Sequence, residues 1–133
     1  MSDIAEPPLD EADWADFRRG IALFNAGRFW HAHEAWETVW KRHRAEPSHD
    51  FFRGLIQLAA AHHQREHGRF DGMLIHFERA RTKLARFAPV FLGVSVDQLL
   101  ASTDASRTES LRLGKERLAE FDAALVPRIQ SFE

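Results

Sequence analysis

The 133-residue chain contains no cysteine, which excludes disulfide bridges, thiolate metal sites and a cysteine nucleophile. It has no marked excess of either charge: 18 Lys and Arg face 20 Asp and Glu, a formal net charge of -2. Bulk electrostatics therefore gives no reason to expect nucleic acid or a membrane surface as a partner. No apolar run approaches the roughly 20 residues that a membrane span needs. The opening run MSDIAEPPLDEADWADF is acidic rather than signal-like, so the expectation is a cytoplasmic protein. Also missing are a glycine-rich phosphate loop, a serine in a nucleophile-elbow setting and any sustained period-two alternation of a strand. The expected fold is all-α.

What the chain does have is helical periodicity punctuated by glycine and proline. Asp10 is placed to cap a first helix whose apolar stripe is Trp14, Phe17, Ile21 and Phe24, closed by Gly27. A second helix runs from about Phe29 to Arg44. A third follows Ser48 and stops at Gly68, and a fourth runs from about Phe70 to Phe87 before Pro89. VFLGV reads as an apolar connector. Ser95-Val-Asp-Gln98 and Ser106-Arg-Thr-Glu109 read as capping boxes, the second opening or renewing a helix with a Leu111, Leu118, Phe121, Leu125 stripe. Residues 1–133 then form a single compact bundle of five to six helices. Residues 1–9 are a flexible start, 24–87 a motif-bearing core, and 95–133 the C-terminal helices. AGRFWHAHEAWE and HGRFDGMLIHFE repeat with a period of 41, which suggests a core of two antiparallel helical hairpins.

Eight histidines all lie between His31 and His76. On the second helix, His33 and Glu37 are one turn apart, at the edge of an apolar arc containing Trp36 and Trp40. Glu34 lies further round, on the side of Trp30. On the third helix, His62, His63 and Glu66 continue the apolar arc. Antiparallel packing of the two would bring His33 and Glu37 towards His62, His63 and Glu66. That is how helical bundles assemble imidazole and carboxylate metal sites. Such a set suits zinc, iron, manganese or nickel. It would use His33, His63 and Glu37 as ligands, with Glu34 orienting a histidine or acting as general base on bound water. A polar network that only fixes helix register uses the same residues. The spacing is not His-Glu-x-x-His, so a metalloprotease is a poor reading. Arg79, Lys83 and Arg86 make a basic ridge on the fourth helix, of the kind that is usually a solvated face.

FNAGRFWHAHEAWETVW and FFRGLIQLAAAHHQREHGRF resemble an uncharacterised bacterial and archaeal family, domain of unknown function 309. Its His-Glu-x-x-Glu-x-x-Trp motif corresponds to His33, Glu34, Glu37 and Trp40. Its Gly-Leu-Ile-Gln-Leu-Ala-Ala-Ala helix corresponds to Gly54–Ala61, with Gln57, and is followed by His63. The resemblance implies a compact helical domain and a shared cluster of His33, Glu34, Glu37 and His63. His62 stands where the family is usually apolar, and no activity is implied. Three functions follow. The first is binding of a metal ion or polar small ligand at this cluster. The second is a tetratricopeptide-like interaction module for a peptide or a second copy, and the third a metal-assisted hydrolase or nuclease acting through Glu34 or Glu37.

Overall fold

The computed structural model describes residues 3–131. Its elements are α1 (Glu11–Asn25), α2 (Phe29–Arg42), α3 (His49–Glu66), α4 (Phe70–Leu84) and α5 (Val96–Arg117), with short 3-10 turns at 85–87, 118–120 and 123–125. α1 packs on α2, α2 on α3, α3 on α4 and α4 on α5. The first four helices are thus two hairpins laid side by side. Phe17, Phe24, Trp36, Phe51, Phe52, Phe77, Phe87 and Phe91 are fully buried between them.

The two hairpin turns are built alike. Gly27 and Gly68 have φ of +78° and +70°, which only glycine adopts without strain. After α1, the Arg28 N–H reaches the Leu23 carbonyl at 2.9 Å and the Gly27 N–H reaches Phe24. After α3, the Arg69 N–H reaches Gln64, also at 2.9 Å, and the Gly68 N–H reaches Arg65. Both pairs are the bonds of a Schellman cap, and they fall one sequence period apart.

The local cap signal held at Asp10 but not at Ser95, which precedes α5 without a side-chain hydrogen bond to its first turn. Asp10 caps α1, accepting from the Asp13 N–H at 2.8 Å, while Asp13 returns a contact to the Asp10 N–H. Five other expectations need correction. The VFLGV connector is a small antiparallel hairpin, Val90–Phe91 with Val94–Ser95. The second helix ends at Arg42 and the fourth at Leu84. Ser106 caps nothing, since α5 runs through it and its buried hydroxyl donates to the Leu125 carbonyl. The stripe after it dissolves: Gly114 breaks helical geometry, and Leu111 and Leu125 are exposed.

His43 is buried at the end of α2 with a carboxylate on each ring nitrogen. Nε2 lies 2.9 Å from Asp13 and Nδ1 3.0 Å from Glu46. Both nitrogens must carry hydrogen to satisfy both acceptors at once, so the site favours the imidazolium. Burial opposes that charge, but the two hydrogen bonds and the two carboxylate charges outweigh it and raise the His43 pKa. Asp13 is pushed up by burial and down by His43, the Asp10 backbone and Arg42, and the lowering prevails.

The signs fix a pH window. The His43 contribution is complete below the unfolded value of about 6.5 and is lost as pH rises through the raised folded value. The Asp13 contribution is present above the unfolded value and lost as pH falls through the lowered one. His43→Gln is expected to cost about 2 kcal/mol near pH 6 and to flatten the alkaline side of the stability profile. Urea unfolding at mildly acid and mildly alkaline pH checks this; parallel profiles for the two proteins would refute it.

Candidate functional site

α3 lies between α2 and α4 and turns one face away from the core. At about 100° per residue, that face carries Arg53, Gln57, Ala60 and Gln64. α2 presents Trp30, His33, Glu37 and Trp40 along one side of it, and α4 presents Gly72, His76 and Arg79 along the other. Two contacts fix the α4 side. Gln64 lies over Gly72, and a Cβ on Gly54 would come within 2.8 Å of Leu84, so α4 is seated close against α3.

Gln57 points away from the core and is nevertheless only 5% exposed. Its Oε1 has no hydrogen-bond partner among the described residues, and the same holds for buried His33 Nδ1, His76 Nδ1 and Trp40 Nε1. Unpaired buried polar atoms are costly and uncommon, and these four lie on three adjacent helices. All three imidazoles of this face have lowered pKa values. Burial is the main cause at His33, where Arg53 lowers the value further and Glu37 and Glu34 oppose. Burial and His67 act on His63, and burial with Arg79, Arg53 and His33 acts on His76. The lowered values favour the neutral form of these imidazoles, which can donate or accept.

Aromatic contacts hold the face in place. Trp30 is half exposed at 49% and stacks flat on His33, with centroids 4.9 Å apart. It also leans on His63 at 5.3 Å. Trp40 is covered by the guanidinium groups of Arg44 and Arg53 and stacks on His49.

The sequence-expected residues are only partly brought together. His33 and His63 share the face through Trp30. Glu37 instead pairs with Lys41 at 3.4 Å, and Glu34 is exposed. Among the described residues, no three His, Asp or Glu side chains are placed to hold a metal ion. Trp36 belongs to the core rather than the face: its Nε1 donates to the Phe17 carbonyl at 3.1 Å. His62 is buried among Phe24, Phe29 and Phe77, in keeping with an apolar position. His76 and Arg53 are members of the face that sequence reasoning missed. A signal existed for Arg53, one turn before Gln57 on the same helix. Three surface hollows, of about 290, 350 and 580 Å³, lie elsewhere; of the face residues only Gly72 lines one, the 350 Å³ hollow.

The molecule is thus a compact helical protein with a polar, aromatic-edged face across three helices. Residues 17–75 match the model of a family described as a domain of unknown function (DUF309). The match contains every residue of the face named above except His76 and Arg79. No match was found among curated proteins. No helix among the described residues is long and apolar enough to cross a membrane.

Proposed function

We propose that the protein is a non-catalytic binding protein that takes a polar small ligand on the α2–α3–α4 face, at His33, Gln57, His63 and His76. The observation that carries this reading is the buried, unpartnered amide oxygen of Gln57, flanked by unpartnered nitrogens of His33 and His76. A polar network whose only role was to fix helix register would satisfy its own members. Here the hydrogen-bonding capacity is left over, and a ligand with both donors and acceptors would use it. A metal-centred or hydrolytic role draws no support from the described residues, because no ligand set converges. Stoichiometric zinc, iron, manganese or nickel in purified protein, lost in a His33→Ala, His63→Ala variant, would restore that role.

Half-exposed Trp30 favours a second reading, in which a peptide or a second copy of the chain lies along the same face. Gln57→Leu tests the binding reading without a known ligand. Removing an unsatisfied amide is expected to stabilise the free protein by about 1 kcal/mol, a rise of a few degrees in Tm. A fall of similar size would mean that Gln57 is bonded within the fold, and the binding reading would fail.

A further inference from the structure

A hollow of about 290 Å³ lies at the opposite edge of α3, where the C-terminal tail crosses the α1–α2 turn. Its apolar lining includes Phe24, Phe29, Val126 and Pro127, and its charged lining is Arg65, Glu66 and Arg128. The tail wall is fixed rather than loose. Asn25 donates from Nδ2 to the Ile129 carbonyl at 3.0 Å and accepts from the Ile129 N–H at 2.8 Å.

Arg65 is the unusual member. Its guanidinium stacks on Phe121 at 4.4 Å, and its Nε reaches His62 Nδ1 at 3.4 Å, a long contact. Neither terminal nitrogen has a carboxylate within ion-pair distance or a hydrogen-bond partner among the described residues. The guanidinium is half-buried against the Phe121 ring, with Glu66 near enough to act on its charge, and its terminal nitrogens remain open to a further anion. Its two terminal nitrogens have the fork geometry that a carboxylate accepts in bidentate fashion. Two cations and one carboxylate line the hollow, so a single negative charge balances it. A dianion such as phosphate would be overcharged and would also waste the apolar walls.

We propose that this hollow is a binding site for a small monocarboxylate with an apolar body, its carboxylate held by Arg65 and its body against Phe24, Phe29 and Val126. The site is separate from the α2–α3–α4 face and stands or falls without it.

The test is calorimetric titration of the full chain with octanoate, with octanol and inorganic phosphate as comparisons. Octanoate is expected to bind saturably at one site, with octanol weaker by about tenfold or more and phosphate not competing. Arg65→Met should weaken octanoate by a similar factor and Arg65→Lys by less, since charge is kept and the fork is lost. Ala123→Trp, which fills the rim and leaves Arg65 in place, should block binding even if Arg65→Met fails to fold. Arg53→Met and Gln57→Leu, on the other face, should leave octanoate binding unchanged. The proposal is overturned by absent octanoate binding, by octanol or phosphate binding as well as octanoate, by undiminished binding in Ala123→Trp, or by loss of binding in the Gln57→Leu protein.

Discussion

Gly20→Ala is expected to destabilise the protein by about 3 kcal/mol or more, although the same change in an exposed helix interior stabilises by up to about 1 kcal/mol. The reason is Trp36. A Cβ on Gly20 would stand 2.2 Å from Trp36 Nε1 and 2.4 Å from Cδ1. The indole cannot retreat without giving up its hydrogen bond to the Phe17 carbonyl and its place in a fully buried site. Gly20 is therefore where α1 lets the ring of α2 lie on its backbone, and it sets the spacing of the first hairpin. Urea unfolding measures the loss. Trp36→Phe shrinks the ring and removes Nε1, so the Gly20→Ala cost should be much smaller in that background. Equal costs in both backgrounds, or a more stable Gly20→Ala protein, would remove this explanation.

The second large effect is on acid stability, and it resides in His62. The ring is fully buried against Phe29, at 5.2 Å, with Phe24 and Phe77 at its edges. Burial, with a further push from the Arg65 charge, brings its pKa down to about 3. An unfolded chain takes up that proton near pH 6.5, so as pH falls the unfolded state binds a proton that the folded state refuses. The stability contribution is complete above about pH 6.5 and is lost on acidification, at about 1.4 kcal/mol per pH unit. His33, His63 and His76 have lowered values too and act in the same direction. His43 acts in the opposite direction. His62→Leu should be within about 1 kcal/mol of the parent at neutral pH and more stable by about 3 kcal/mol near pH 4.5. Matching acid slopes for the two proteins, followed by circular dichroism in urea, would show that His62 is not the acid-sensitive group.

Particular residues show how far the sequence could be read. Asp10, Gly27 and Gly68 were legible because caps and turns are decided within a few residues, and the core stripes were legible because burial follows helical period. Ser106 was misread because Ser-x-x-Glu looks the same at a helix start and within a helix already running. Only the distant Leu125 carbonyl explains that serine. His62 was legible as an apolar position, but its three phenylalanine neighbours come from three other segments of the chain. His43 needed knowledge of Asp13, thirty residues earlier. His76 joined the candidate face only once α4 was placed beside α3, whereas Arg53 lies one turn before Gln57 on the same helix. A close glycine at position 54 controls that placement, and no local pattern announces it. The place of Arg65 in the hollow depends on residues 123–128, far along the chain, and is a property of the assembled fold.

The Asn25–Ile129 bonds join positions 104 residues apart, and this sets an order of events during synthesis. Each of the first two hairpins can close on contacts between neighbouring helices as soon as it is made. The wall over Arg65 cannot form until residue 129 has been added. A nascent chain would therefore present Phe24 and Phe29 with one side uncovered long after their own helices had paired. Residues 126–129 act as a latch that covers an aromatic edge left open until then.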